Sequence, residues 1–409
     1  MPPTSLRSAV APLAVAHVAG VLAQLLTFPY LARALGPTEW APILLAQALF
    51  AWAALLVEHG ADLHGPRVIA ALRARNAPLG TTIWGIQGAK LTALPVVLAL
   101  LAIIMRTLPA MHEHRGLLGW TLLAAAARGA SPLWYFQGVE RAPRAMGIDA
   151  GARIIGAIAV LPFVTNPGHG WRVIAAQAIV NTVAAVWLTI EMARAHPFSR
   201  SGFAEAAREA RRQSRSLYAQ RIAMTLFLNA NPVILGFFAP WAPLAAYASA
   251  ERLLRSLNNI LAPLSQVLVP RASALEATNP NAAGSYAKFL LPRVTGLAIL
   301  IASLIAATAP LIIRAVLGAD YEAAVPLLRW FAPLLPIVAA STVLSSTWAI
   351  PTGKDTLVLR TTVAAACTLL LISVAAVPVW GAAAMVWATL AAELVVLILL
   401  SATLWRRTP

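Results

Sequence analysis

Apolar stretches long enough to cross a lipid bilayer follow one another along almost the whole chain. A helix needs about 20 apolar residues to span the hydrocarbon layer, and the sequence supplies about twelve such stretches. They are residues 9–32, 41–58, 80–105, 116–136, 145–164, 171–192, 216–238, 242–268, 286–313, 323–349, 357–377 and 381–404. Since backbone polar groups inside a bilayer must be hydrogen-bonded within the segment, each stretch is predicted to be a helix. The sequence therefore predicts an all-α integral membrane protein.

The composition agrees with this class and excludes soluble ones. Hydrophobic residues make up 60% of the chain and charged residues only 11%, whereas a soluble protein carries about 25% charged residues. A net charge of +16 would indicate nucleic-acid binding in a soluble chain. Here the basic residues lie in short loops and inside spans, so we expect no nucleic-acid partner. The single cysteine, Cys367, allows no disulfide and no cysteine metal site.

The positions of Lys and Arg predict the orientation in the membrane. They are several times more common in the two termini and in the loops after the second, fourth, sixth, eighth and tenth spans than in the other loops. Because such residues accumulate on the cytoplasmic side, we expect a multi-pass inner-membrane protein with both termini in the cytoplasm.

A polar segment at residues 196–216 divides the spans into six and six. Its basic, helix-forming run is predicted to lie along the anionic inner leaflet and to join two lobes, residues 1–195 and 217–409. Short matches support a repeat: Trp40-Ala-Pro42 opens the second span, and Trp241-Ala-Pro243 opens the eighth. Six-helix units that start on the same side are expected to form parallel repeats related by a pseudo-two-fold axis.

Residues 242–268 carry polar side chains at helical spacing, which is costly at membrane depth. The predicted polar face holds Arg252, Arg255, Ser256, Asn259 and Gln266. The opposite face holds Leu254, Leu257, Leu261, Leu264 and Leu268. An arginine at the bilayer centre costs roughly 2.5–3.5 kcal/mol. We therefore expect the arginines to face a wet, positively charged cavity and the leucines to face lipid. The preceding span repeats the pattern with Tyr218, Arg221, Thr225 and Asn229.

Several local motifs, in chain order, resemble those of bacterial O-antigen and polysaccharide flippases. The most specific is Pro132-Leu-Trp-Tyr-Phe-Gln-Gly-Val-Glu140, which is similar to the exit of their fourth helix. Other matches are residues 25–36 with Glu39 and Trp40, 60–70, 233–236, 246–250, 270–271, 317–322 and 352–354. The chain departs from the family pattern at Glu58, His59 and His64, so the resemblance says less about ion coupling than about fold.

The resemblance implies membership of the multidrug/oligosaccharidyl-lipid/polysaccharide exporter superfamily. It implies two six-helix lobes that open alternately to each side of the membrane. The expected cargo is an undecaprenyl-pyrophosphate-linked oligosaccharide, moved from the cytoplasmic to the outer leaflet. Further expected partners are membrane lipids, a coupling ion (H⁺ or Na⁺) and the polysaccharide polymerase machinery.

Basic residues outnumber acids inside the predicted spans, which suits an anionic cargo because guanidinium groups match phosphate oxygens. The candidate substrate-binding residues are Arg252, Arg255, Arg221, Lys90, Arg128, Asn229 and Asn259. Three acids are clearly internal to the spans. Glu251 and Glu393 are the candidate coupling sites, and Asp149 is predicted to pair with Arg153 four residues later. The alternative is that all three acids only neutralise arginines. Arg293 and Arg329 lie near span ends, where we expect them to snorkel to the interface.

Other functions fit the sequence less well. There is no phosphate-binding loop motif, so we expect no direct use of ATP, no cofactor, no metal site and no enzymatic activity. A drug/cation antiporter of the same superfamily would need a cavity dominated by acids. A polytopic membrane glycosyltransferase or polymerase should show acidic motifs and a large outer loop, and a channel needs no arginine-rich pocket. His112 and His114 are expected to be solvated.

Overall fold

The computed structural model describes residues 6–140, 142–260 and 262–405, and their regular structure is helical. The α-helices are α1 (Leu6–Glu58), α2 (Ala61–Ala74), α3 (Gly80–Thr107), α4 (Gly116–Ala130), α5 (Leu133–Gly138), α6 (Ala142–Ala159), α7 (Trp171–Ala195), α8 (Phe203–Phe238), α9 (Trp241–Ile260), α10 (Ala262–Thr278), α11 (Ala282–Val316), α12 (Ala324–Phe331), α13 (Leu334–Leu344) and α14 (Asp355–Trp405). Short 3₁₀ turns lie at Pro109–His114, Leu161–Phe163, Pro167–His169 and Ala319–Tyr321, and a π-helical turn at Ser345–Ala349. This confirms the all-α class.

Two of these helices are too long for a single crossing. α1 has 53 residues and α14 has 51, and at about 1.5 Å per residue each is more than twice as long as the hydrocarbon layer is thick. Each contains one glycine with non-helical angles, Gly36 (φ 70°) in α1 and Gly381 (φ 55°) in α14. Because glycine has no Cβ, it adopts this left-handed region without strain. Each helix is therefore two spans separated by a kink.

Every predicted span falls on a helix or on consecutive helices separated by a short break. Within the described residues, seven stretches are long and apolar enough to cross a membrane by length and composition alone: Leu26–Ala74, Gly80–Thr107, Pro143–Phe163, Pro167–Ala195, Ala282–Val316, Ala324–Ala349 and Asp355–Trp405. The predicted span 9–32 belongs to this set only from Leu26 onward. The predicted spans 116–136, 216–238 and 242–268 do not belong to it and lie on α4 and α5, on α8, and on α9 and α10. The first of these is broken between α4 and α5 at Ser131, whose extended backbone (ψ 131°) precedes Pro132.

The chain forms two compact units, Met1–Ile222 and Ala223–Pro409. Residues 196–216, which the sequence marks as a joint, belong to the first unit. Their helical part is the beginning of α8, and Gly85 and Gly88 of α3 let Ala206 and Phe203 approach closely. The Trp84 indole nitrogen donates to the His196 carbonyl at 2.7 Å.

The same helix neighbours recur inside each unit. In the first, α2 packs against α5 and α3 packs against α4. In the second, α10 packs against the π-helical turn and α11 packs against α13. The helices that continue the second and eighth spans, α2 and α10, pack on the fourth and tenth spans, and so do the third and ninth spans, α3 and α11. This recurrence agrees with the repeat indicated by the sequence.

The motif at residues 132–140 is a packing element of the first unit. Trp134, Tyr135 and Phe136 are all buried in one apolar cluster. Gly138 contacts α2 so closely that a Cβ would lie 2.7 Å from the Ile69 side chain. Gly65 of α2 lies equally close to the Trp134 ring. The aromatic and glycine residues of this motif therefore fix how α5 packs on α2.

Candidate functional site

An ion pair between Glu251 and Arg255 lies on α9 in the second unit. On α9, Arg255 donates through Nε and Nη2 to the same carboxylate oxygen of Glu251, at 3.0 and 2.9 Å. The Glu251 side chain is 7% exposed, whereas that of Arg255 is 33% exposed. The residues are four apart, so they face each other on one side of the helix. The carboxylate is thus enclosed, whereas part of the arginine side chain remains exposed.

Neighbouring helices complete the environment of this carboxylate. The Asn231 amide of α8 is fully buried and donates to Glu251 at 2.7 Å and to the Thr389 hydroxyl of α14 at 3.1 Å. The Tyr247 hydroxyl lies 3.4 Å from the same Thr389 oxygen. Burying a charge requires a partner charge and hydrogen bonds. Asn231, Tyr247 and Thr389 are therefore parts of the site that the sequence analysis did not single out.

Arg252 and Glu393 lie at the edge of this network. Arg252 is partly buried on α9, and its carbonyl accepts a hydrogen bond from Ser256. Glu393 of α14 is partly buried and close enough to Arg255 for electrostatic attraction. The second unit thus brings together Glu251, Arg255 and Glu393, and places Arg252 one helical turn from Arg255. The side chains of Asn229, Asn259 and Gln266 lie outside the described residues.

The expectation that the leucine face of this span meets lipid is wrong for two of its three described leucines. Leu254 of α9 is 0% exposed and Leu268 of α10 is 4% exposed, although Leu257 is exposed. Leu254 is buried because α9 packs against α12 and α14. Leu261 and the side chain of Leu264 lie outside the described residues.

In the first unit, Lys90 has a defined packing role. It is 1% exposed, and its ammonium donates to the Ser131 carbonyl at 2.6 Å. Gln87, one turn earlier on α3, donates to the Ala130 carbonyl at 2.6 Å. The break after α4 leaves its last carbonyls without helical partners, and these two side chains satisfy them. Lys90 also lines a narrow cavity with Glu58.

Two arginines of the first unit share one carboxylate. Asp149 of α6 accepts a hydrogen bond from Arg128 of α4 at 2.6 Å and forms an ion pair with Arg153, whose Nη2 lies 2.8 Å from the other carboxylate oxygen. The predicted Asp149–Arg153 pair is confirmed, and Arg128 is an additional partner. Each arginine side chain is about one third exposed, at 33% and 36%. Two cations on one anion leave this cluster with a net positive charge.

The beginning of α2 contributes an acid that the sequence analysis missed. Asp62 lies 3.4 Å from Arg221 of α8, and the Tyr218 hydroxyl donates to the Leu56 carbonyl at 3.1 Å. The predicted second span ended at Glu58, so Asp62 was assigned to a loop. Instead, left-handed His59 and Gly60 break the helix, and it resumes at Ala61. Ala61, Gly65 and Ile69 recur every fourth residue in the sequence and are buried. This spacing is the signal that could have predicted a helix after Gly60.

Glu58 and Asp62 change the charge balance that the sequence indicated. Besides Asp149, Glu251 and Glu393, the acids Glu58 and Asp62 also lie close to basic side chains of the predicted spans. The predicted excess of cations is therefore smaller than the sequence count implied. No three His, Cys, Asp or Glu side chains in the described part of the chain are grouped so as to hold a metal ion.

Comparison with known proteins identifies the family. Residues 6–276 match the family model described as "Polysaccharide biosynthesis protein". A protein of Escherichia coli (strain K12) named "Putative O-antigen transporter" is 23% identical over 356 residues, covering 83% of this chain and 82% of that protein. A Shigella dysenteriae protein of the same name is 24% identical over 400 residues, covering 94% and 97%.

Solved structures share the fold. The lipid II flippase MurJ in an inward closed conformation superposes with a TM-score of 0.74 at 10% identity, covering 97% of this chain and 88% of that one. The eukaryotic MATE transporter AtDTX14 gives 0.58 at 15% identity, covering 98% and 94%. Together with the family match, these structures confirm the resemblance found in the sequence. The chain belongs to the polysaccharide biosynthesis protein family and has the fold of the multidrug/oligosaccharidyl-lipid/polysaccharide exporter superfamily.

Proposed function

We propose that this protein flips an undecaprenyl-pyrophosphate-linked oligosaccharide from the cytoplasmic to the outer leaflet of the inner membrane. The family match over residues 6–276 supports a role in polysaccharide biosynthesis. The names of both relatives support transport of an O-antigen precursor. Both termini lie in the cytoplasm in this proposal, as the distribution of Lys and Arg predicts.

The observation that carries the proposal is a set of arginine side chains on apolar helices that are paired with a carboxylate and about one third exposed. Arg255 is one third exposed although its partner Glu251 is enclosed. Arg128 and Arg153 are about equally exposed on their shared carboxylate. A guanidinium fixed on one side by a carboxylate is already oriented when an anion approaches from the other. A diphosphate is the anion that such groups bind best.

In the second unit, Arg252 and Arg255 bind the diphosphate in this proposal. Residues three apart on a helix have Cβ atoms about 5–6 Å apart, close to the separation that a diphosphate bridges. Arg221, Arg128, Asn229 and Asn259 supply further polar contacts as the cargo moves. Lys90 acts mainly through the shape of the break between α4 and α5, because its ammonium is held by the Ser131 carbonyl.

Transport proceeds by alternating access, with residues 196–216 as the joint between the lobes. An inside-negative membrane potential favours outward movement of an anion by about 2.3 kcal/mol per charge per 100 mV. Resetting the empty carrier requires neutralising its basic groups. Glu251 and Glu393 are the proposed coupling sites for H⁺ or Na⁺, and the hydrogen bonds of Glu251 to Arg255 and Asn231 favour a structural role for this acid as well.

A drug/cation antiporter is the alternative within this fold. Such a protein needs carboxylates that are available to hold a cation. Here Asp62, Asp149 and Glu251 are each engaged by an arginine. The charge pairing therefore favours an anionic cargo over a cationic one.

The deciding experiment combines deletion with reconstitution. Deletion of the gene should cause one lipid-linked oligosaccharide to accumulate with its sugar on the cytoplasmic leaflet. Proteoliposomes containing the purified protein should then move that same lipid, measured as its protection from a membrane-impermeant glycosidase. Unchanged lipid-linked oligosaccharides in the deletion strain, together with no movement in proteoliposomes, would refute the proposal.

A further inference from the structure

An open cavity lies at one end of the first unit, between the end of α3 and the beginning of α4. Its volume is about 440 Å³. The described residues that line it are Met105, Arg106, Met111, His114, Arg115 and Leu118. This set contains three basic side chains and no carboxylate. A cavity of this size holds a small headgroup, and its lining favours an anionic one.

Positive charge reaches the cavity from both helices. Arg106 is exposed in the last turn of α3, and Arg115 is exposed directly before the first residue of α4. The first turn of α4 adds the positive end of its dipole. His114 lies 3.8 Å from Glu39, so the positive charge of the cavity comes mainly from Arg106 and Arg115.

The apolar part of the lining distinguishes a lipid from a free anion. Met105 and Met111 are 4% and 2% exposed and present flexible thioethers that fit irregular groups. Beyond the cavity, the helix surfaces continue with exposed Leu100 and Ile103 of α3 and Leu123 of α4. A free phosphate would use only the basic groups. A lipid would also cover the exposed Leu100, Ile103 and Leu123 side chains.

We propose that this cavity, lined by Arg106, Arg115 and His114, binds the phosphate headgroup of an anionic bilayer lipid whose acyl chains lie along Leu100, Ile103 and Leu123. In the predicted topology this end of the unit meets the outer leaflet. The site is separate from the proposed cargo residues and does not depend on the transport activity.

The test is native mass spectrometry of the full chain in detergent, titrated with phosphatidylglycerol. Wild-type protein should retain one tightly bound lipid. The Arg106→Gln/Arg115→Gln variant should bind it about tenfold more weakly or worse, since each basic group adds substantial attraction to an anionic headgroup. Arg314→Gln is the matched control, because Arg314 is also exposed in the last turn of a spanning helix, α11. It should bind within about twofold of wild type.

Two further measurements distinguish binding of a lipid from binding of a free anion and from a nonspecific effect of positive charge. Phosphatidylcholine should be retained less than phosphatidylglycerol, and millimolar inorganic phosphate should not displace the bound lipid. The Arg106→Lys/Arg115→Lys variant keeps the charge and should retain part of the binding. Displacement by inorganic phosphate, equal retention of both lipids, or equal loss in the Arg314→Gln control would overturn the proposal.

Discussion

Arg255 donates through two nitrogens to a single oxygen of Glu251, and its side chain is 33% exposed whereas that of Glu251 is 7% exposed. This difference in exposure gives Glu251 a structural role and leaves Arg255 able to contact a cargo as well. The carboxylate is enclosed with Asn231, so its charge depends on Arg255 for compensation. The guanidinium can still present its remaining donors to an anion.

Removing Arg255 alone should therefore destabilise the second unit. We expect Arg255→Ala to lower the free energy of unfolding by about 3 kcal/mol, because Glu251 is left as an uncompensated buried charge. The double variant Glu251→Gln/Arg255→Gln should recover most of this stability and remain inactive in transport. Thermal unfolding in detergent measures the first effect, and transport per inserted molecule the second. A fully active double variant would remove Arg255 from the cargo site.

Arg252→Ala should reduce transport without reducing insertion. Hydrogen bonds between charged groups contribute about 1.5–3 kcal/mol, so we expect about a tenfold to hundredfold loss. Arg252→Lys should keep part of the activity, since the charge survives but the planar fork does not. Arg293→Ala is the control, because Arg293 is exposed and donates to the Phe289 carbonyl of its own helix. Equal losses in both alanine variants would argue against a specific role for Arg252.

Glu393→Gln tests ion coupling more cleanly than Glu251→Gln, since Glu251 also holds Arg255 and Asn231. If Glu393 takes up the coupling ion, its glutamine variant should flip cargo at a rate that no longer depends on the sodium or proton gradient. Initial rates in proteoliposomes with and without each gradient measure this. Retention of the wild-type dependence would leave Glu393 as a neutralising charge for Arg255.

The topology prediction can be tested with reporter fusions. Fusions after Gly36, Arg75, Arg115 and Ser214 should report outside, inside, outside and inside, respectively. Alkaline phosphatase and green fluorescent protein are suitable reporters, since each is active on one side only. A periplasmic signal at Ser214 would contradict both the orientation and the division into six and six spans.

Gly65→Ala should destabilise the first unit through packing. Its new Cβ would lie 2.3 Å from the buried Trp134 ring, and we expect a cost of about 1–3 kcal/mol. Gly147→Ala is the matched control, since nothing lies within 4 Å of its Cβ on α6. That change should be neutral or stabilising by up to about 1 kcal/mol. Thermal unfolding of both variants gives the comparison, and similar melting temperatures would contradict it.

Some local features were readable from the sequence because they depend on neighbours along one helix. The Asp149–Arg153 pair follows from a spacing of four residues. The kinks at Gly36 and Gly381 follow turn signals in long apolar stretches. The helix that resumes at Ala61 was missed, since a short amphipathic segment after a span end resembles a loop.

The sequence by itself determined the all-α membrane class, the positions of the spans and the family, because hydropathy over 20 residues is a local property and the motifs follow one another in order. Tertiary structure alone decided which charges meet. Arg128 pairs with Asp149 on α6, and Asp62 pairs with Arg221 on α8. Asn231 donates a hydrogen bond to Glu251 on α9. It also decided that Leu254 belongs to the core, because the face a helix buries depends on the helices that pack against it. Partners far apart in the chain meet only when separate helices pack, and no spacing within one helix encodes that.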